Sequence, residues 1–202
     1  MRAMHRVLTP GDYRHSAWKN GAGRTVEIAA YPHGSGFEHF AWRASVADIE
    51  RDGPFSVFPG VDRTLVLLQG AGQVLADAGD PIDVRAHFEP MTFSGDVALD
   101  CKLHEGPVRN FNLMVRRARA QGEVDVVQGT AETAAPTRFR LCYAAVGSCE
   151  CLLAGHLPIT LNETHTLYVD AEDAPPPQLH VNPLSSDAIV LVASIRLTGG
   201  HR

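Results

Sequence analysis

Short apolar segments punctuated by turn residues dominate this chain and restrict what it can fold into. Alternating or densely apolar runs recur at intervals of roughly 8–12 residues, each stopped by Gly, Pro or Asp, and that spacing predicts an all-β sandwich or barrel. Residues 6–9 stop at Pro10-Gly11-Asp12, residues 24–31 at Pro32, and residues 40–49 at Asp52-Gly53-Pro54. A proline-bounded aromatic segment, Phe55-Ser56-Val57-Phe58-Pro59-Gly60, leads into the dense apolar run 63–68. Residues 73–76, 82–86, 98–103 and 110–116 read as further strands, with Asp77-Ala78-Gly79-Asp80-Pro81 as a strong turn cluster. Nothing in this half has the period and caps of a long amphipathic helix. Residues 117–132 are polar and weakly patterned and read as a connection. Residues 137–146, 150–153, 164–169 and 188–197 form the strands of a second β unit, with Ala174-Pro175-Pro176-Pro177 as a stiff extended loop. The predicted organisation is a motif-bearing β unit over 1–118, then a connection and second unit over 119–202, with the termini free to exchange strands between them.

A chain of 202 residues can bury a real core in one large or two small domains. The net charge of −5, with no basic cluster, argues against nucleic acid as a partner. No apolar run approaches the roughly 20 residues that span a bilayer, so no membrane association is expected. The start, Met1-Arg2-Ala3-Met4-His5-Arg6, has no apolar segment of the kind a signal peptide needs, and a cytoplasmic location is the expectation. The four cysteines, Cys101, Cys142, Cys149 and Cys151, lack the spacing of a zinc site and read as buried or incidental thiols.

The stretch Trp18-Lys19-Asn20-Gly21-Ala22-Gly23-Arg24-Thr25 places an indole, cations, an amide and two glycines together just before an alternating strand. It reads either as a tight turn anchored by Trp18 or as a loop that grips a ligand. Side chains two apart on a strand share a face. Thr25, Glu27 and Ala29 therefore share one, as do Arg43, Ser45 and Ala47, and Asn110, Asn112, Met114 and Arg116. Such stripes on one-sided sheets usually face solvent. Their amides and arginines beside small residues equally suit a semi-polar interior that admits a small ligand. Asp62-Arg63 reads as a local ion pair at a turn, or places Arg63 at a pocket mouth.

Several enzyme patterns fail. Gly21-Ala22-Gly23 is followed by a strand, not a helix, so it is no dinucleotide fingerprint. No Gly-x-Ser-x-Gly elbow is present. The chain has ten histidines but no His-x-His pair. Glu163 and His165, with His156 in reach, form a thin ligand set beside the three or four donors a transition metal generally takes. The expectation is no metal and no cofactor.

The Trp18–Thr25 motif, Glu27-Ile28, Trp42-Arg43-Ala44-Ser45, Gly53-Pro54-Phe55-Ser56, Phe58-Pro59-Gly60, Asp62-Arg63, Phe93-Ser94-Gly95-Asp96 and Asn110-Phe111-Asn112-Leu113-Met114 occur in an order that resembles the HutD/Ves family. The resemblance covers roughly residues 5 to 120 in motifs and the remainder in length and strand character only. It implies a bicupin, two cupin-like jelly-roll β-barrels in one chain, with no metal triad in the first. It also implies a regulatory or ligand-sensing protein of bacterial histidine utilisation, with formylated or formimino derivatives of glutamate as ligands. No member activity is firm enough to make the chain an enzyme. The alternative is a cupin-type hydrolase, isomerase or oxygenase acting on a small carboxylic acid. A third possibility is a protein that works mainly through a protein partner, and edge strands such as 188–197 allow a homodimer. Two departures from the family pattern stand out. Asn110 occupies a position where an Asp is expected, which removes a candidate general base, and Ala22 replaces a glycine.

An anionic ligand suits the cations of this set. Arg43, Arg116, Arg24, Lys19 and Arg63 can pair with carboxylates through charge-assisted hydrogen bonds. Asn20, Asn110 and Asn112 both donate and accept, as an amide or formyl group requires. Ser45 completes the polar stripe, Glu27 can hold an arginine or meet an N–H, and Trp18 can cover the mouth.

Overall fold

The computed structural model describes residues 3–18, 21–77, 79–133, 137–172 and 175–198. The strands in chain order are β1 (Met4–Leu8), β2 (Arg14–Ala17), β3 (Gly23–Tyr31), β4 (Trp42–Ile49), β5 (Gly53–Phe55), β6 (Val61–Gln69), β7 (Gln73–Ala76), β8 (Ile82–Val84), β9 (Pro90–Ser94) and β10 (Leu99–Leu103). They continue as β11 (Val108–Arg116), β12 (Ala120–Val127), β13 (Ala131–Thr133), β14 (Phe139–Val146), β15 (Cys149–Leu153), β16 (Ile159–Leu161), β17 (Thr166–Asp170), β18 (Leu179–Pro183) and β19 (Ile189–Leu197). The only helical turn among the described residues is a short 3₁₀ segment at Pro10–Asp12. No helix among them is long and apolar enough to cross a membrane.

Two compact units result. The N-terminal unit comprises residues 13–120 with 198–202, and the C-terminal unit comprises residues 121–197 with 1–12. The first twelve residues thus leave the half of the sequence they begin, because β1 pairs antiparallel with β17 from Met4 opposite Asp170 to Leu8 opposite Thr166.

Each unit is a pair of antiparallel sheets. In the N-terminal unit a six-stranded sheet, β2-β3-β4-β11-β6-β9, accompanies a four-stranded one, β5-β10-β7-β8. Ile49, Leu65, Leu67 and Val108 from the larger sheet meet Phe55, Leu75, Val84, Leu99 and Cys101 from the smaller in one buried cluster. Each fully buried Leu there contributes about 1.5–3 kcal/mol relative to exposure. The C-terminal unit repeats the plan with β1-β17-β14-β19-β12 and β13-β18-β15-β16 around a core that includes Cys142, Cys149 and Cys151. The strands therefore form facing sheets in each unit and not the closed barrels that the family resemblance implies. All four cysteines are free and buried. Burial first, then the nearby Asp52 carboxylate, pushes the Cys101 thiol up to about 11, which keeps it protonated and unreactive.

Residues 117–132 are not the connection the composition suggests, since they hold β12 and β13. Along β12, Gln121, Glu123 and Asp125 are exposed while Ala120 and Val124 are buried. The alternation is there, but Ala and Gly at inward positions give it little apolar mass. Gly53 and Pro54, expected as a turn, form the edge strand β5, where a missing N–H costs no ladder bond.

Candidate ligand-binding site

The Trp18 motif is the β2–β3 hairpin. Trp18 N donates to Gly23 O at 2.9 Å, and Gly21, with φ of +65°, donates back to Trp18 O at 3.0 Å. Gly23 starts β3 against β4 so closely that a Cβ would sit 2.3 Å from the Asp48 carbonyl oxygen, which is why no side chain fits there. Trp18 Nε1 donates to Thr25 Oγ1 at 2.8 Å, fixing the indole. Lys19 and Asn20 lie outside the described residues.

This hairpin borders a cavity of about 470 Å³ in the N-terminal unit. Strand alternation builds its wall: Arg43, Ser45 and Ala47 from β4, Asn110, Asn112 and Met114 from β11, Arg63 and Leu65 from β6, and Thr25 from β3. Register stacks these residues in layers. Met114 stands opposite both Arg43 and Arg63, and Asn112 opposite Ser45 and Leu65. Asn110 stands opposite Ala47. Each layer lies about 7 Å along the strands from the last. Two cations thus flank a methionine in one layer, and amides follow in the next two.

The two arginines differ in their partners. Arg43 Nε donates to Glu27 Oε2 at 2.6 Å, with side chains only 7% and 11% exposed, and its Nη1 reaches Ser45 Oγ at 3.3 Å. Arg14 adds a longer contact, 3.7 Å, to the same carboxylate. Arg63 has no ion pair among the described residues. Its guanidinium lies over Phe55, Phe93 and Phe58, at 4.3, 5.5 and 5.6 Å from the ring centroids. Its Nη1 donates to Ser56 O at a long 3.4 Å, and its Nε is buried with no hydrogen-bond partner. Burial, then the charge of Arg43, pushes the Arg63 guanidinium down to about 9, so it stays charged at neutral pH. Asn110 Nδ2 donates to Gln73 Oε1 at 3.0 Å, but Asn110 Oδ1 and Asn112 Oδ1 are buried and unpaired. Two cations against one carboxylate make this wall electropositive, and buried groups without partners are costly until something pairs with them.

The structure thus brings Trp18, Arg43, Ser45, Arg63, Asn110 and Asn112 to one cavity, with Glu27 behind Arg43. Arg24 and Arg116 do not line it. Arg24 is out of phase with Thr25 and Glu27, and it pairs with Asp48 at 2.7 Å on the opposite face, where Arg109 binds the same carboxylate. Those two arginines, Arg109 first, hold the Asp48 carboxyl below its usual range. Arg116, at the end of β11, donates to backbone carbonyls of Phe37, Glu38, Phe40 and Pro59. Asp62 pairs with Arg117 and not with its neighbour Arg63, because adjacent strand residues point to opposite faces.

Sequence reasoning missed Phe37 and Gln73. Phe37 sits in a loop with no periodicity; Gln73 is a fully buried polar residue at an inward position of β7. In the C-terminal unit, Glu163 accepts from Gly147 N at 2.9 Å, and His156 meets the His5 ring edge-on at 4.3 Å. Among the described residues no three His, Cys, Asp or Glu side chains converge as metal donors would.

Facing antiparallel sheets with a polar cavity inside the fold make this a cupin-like all-β protein. The chain belongs to the HutD family, whose sequence model matches residues 11–186. It is similar to an uncharacterized 21.2 kDa protein in the hutC 3′ region of Pseudomonas putida, 37% identical over 149 residues, or 74% of this chain and 78% of that protein. It is also similar to protein Ves of Citrobacter koseri, 38% identical over 117 residues, which span 57% of this chain and 60% of Ves. The solved structure of HutD from Pseudomonas fluorescens SBW25, in a formate condition, superimposes with a TM-score of 0.83 at 30% identity, covering 97% of this chain and 100% of that one.

Proposed function

We propose that this protein binds a small carboxylate in the cavity of its N-terminal unit and serves histidine utilisation as a ligand-sensing regulator, with N-formylglutamate as the leading ligand. The same proposal takes the two sheet pairs as two cupin-like units of a bicupin. The observation that carries the ligand reading is Arg63, a buried cation with no carboxylate partner among the described residues and an orphaned Nε in a cavity wall. A ligand carboxylate at the guanidinium would supply the missing counter-charge. Asn112, whose side chain lines the cavity, carries an amide of the kind that pairs with an acylated or formimino group.

Binding is favoured over turnover by the lining itself. Among the described residues its ionisable side chains are the two arginines, and Glu27 is committed to Arg43. A guanidinium has no lone pair to accept a proton, and a carboxylate already held in an ion pair is not free to serve as a general base.

Calorimetric titration of metal-analysed protein with N-formylglutamate, formiminoglutamate, glutamate and urocanate, followed by product assay, tests this. Saturable binding without product is expected, with Arg63→Gln weakening it by roughly 10–100-fold, the worth of a charge-assisted hydrogen-bond pair. Product formation would replace the sensor with an enzyme, and unchanged affinity in Arg63→Gln would remove Arg63 as the anchor.

A further inference from the structure

We infer that Phe37 is the solvent-side cover of the anion site and that Arg116, assisted by Arg119, is the positioning residue that holds it there. The inference rests on the proposed reading of the cavity and adds how access to it is set.

Phe37 lines the cavity yet is 52% exposed. Its ring lies over the Arg43 guanidinium at 4.9 Å and against Phe58 at 5.7 Å, and Phe58 in turn lies 5.6 Å from the Arg63 guanidinium. The two arginines are therefore joined by a continuous path of cation, ring, ring and cation. A ring stacked on a guanidinium covers its face and leaves the in-plane N–H edges free for an acceptor. Covering that face also keeps water from it, so an anion at the edges is held in a less screened environment.

The loop that carries Phe37 has no strand to fix it. Ala41 N donates to Tyr31 O at 2.6 Å and closes its base. Within it Ser35 N donates to Pro32 O and His39 N to Gly36 O, each at 3.1 Å, and two guanidinium groups take four successive carbonyls: Arg116 those of Phe37, Glu38 and Phe40, each at 3.3 Å, and Arg119 that of His39 at 2.9 Å. Arg116 also donates to Pro59 O at 3.2 Å, next to Phe58. One side chain thus ties the loop bearing Phe37 to the segment bearing Phe58. This explains why an arginine in phase with the cavity stripe stays out of the cavity.

The chain contains two tryptophans, and they suit an access assay, because Trp18 lines the cavity and Trp42 is 0% exposed. Iodide quenching of Trp18 is the readout, with N-formylglutamate affinity measured in parallel. Phe37→Ala is expected to raise the iodide quenching constant several-fold and to weaken N-formylglutamate by about tenfold. Arg116→Lys, which keeps the charge but cannot fork across several carbonyls, is expected to reproduce part of both effects. Combined with Phe37→Ala, it should add nothing further. Phe37→Ala changes a half-exposed side chain, so a folding defect in Arg116→Lys would leave the cover testable. Unchanged quenching in Phe37→Ala overturns the cover. Additive effects in the double variant overturn the positioning role, since a merely structural Arg116 would lower Tm without acting through Phe37. If the quenching pattern holds while wild-type protein ignores N-formylglutamate, the cover stands and the ligand assignment falls.

Discussion

Glu27 is the residue on which the charge balance of the cavity turns. It is buried, it takes Arg43 at 2.6 Å, and it leaves Arg63 as the unmatched cation. Breaking a buried pair by removing one partner strands the other charge. Glu27→Gln is therefore expected to destabilise the protein by about 3 kcal/mol, the low end for such a pair because Arg43 also borders the cavity. A carboxylate ligand would then meet two unmatched arginines, so saturating N-formylglutamate should raise the Tm of Glu27→Gln by more than that of wild type. Equal shifts would show that Arg43 takes no part in binding. At this scale the sequence was informative wherever alternation alone decides orientation. Arg43, Ser45, Asn110 and Asn112 share the cavity because two-residue spacing put them on inward faces. Arg116 obeys the same parity and still lies elsewhere, because at a strand end a long side chain follows the nearest acceptors, and these are loop carbonyls brought in from residues 37–40. No local pattern announces a contact across some 80 positions.

Among the elements, the turn from Phe58 to Val61 depends on a carboxylate far along the chain. Asp96 Oδ1 accepts from Gly60 N at 2.6 Å, its Oδ2 accepts from Ser94 Oγ at 2.7 Å, and Arg117 pairs with it as well. These bonds, the Gly60 N–H first, lower the Asp96 carboxyl from 3.8 to about 2. A carboxyl depressed on folding stabilises the fold above its unfolded value and loses that contribution as pH falls through the folded one. The Asp96 contribution should thus be complete above about pH 5 and fade between about pH 4 and pH 2. Denaturant melts of wild type and Asp96→Asn should differ at neutral pH and converge near about pH 2. A gap that persists there would mean Asn disturbs the turn by shape and not by charge. Sequence spacing located β3, β4, β6 and β11, whose apolar content is high. It missed the short strands β2, β9, β16 and β18, and also β12, whose inward positions include Ala120 and Gly122, and β5, where Pro54 mimics a turn, because a strand supplied with partners by tertiary structure needs little propensity of its own.

Across the whole molecule the chain begins in one unit, builds the other, and returns. Residues 1–12 belong with 121–197, and the cavity belongs to neither segment. β1 is the edge strand beside β17, and Leu8 is buried while Met4 and Val7 are exposed. Removing residues 1–9 would leave the ladder groups of β17 unpaired on that side, an open edge of the kind that invites association between chains. The cavity of the N-terminal unit loses no lining residue by this truncation. Both tryptophans, Trp18 and Trp42, lie in the N-terminal unit, so their fluorescence follows that unit while far-ultraviolet circular dichroism follows both. The truncated protein should show a circular-dichroism transition at lower denaturant and a raised tendency to associate. Its fluorescence transition and its affinity for N-formylglutamate should stay near those of the full chain. Were the fluorescence transition to move down by as much as the dichroism, the two units would be unfolding as one body, and the first strand would be holding the binding cavity together as well as the sheet it joins.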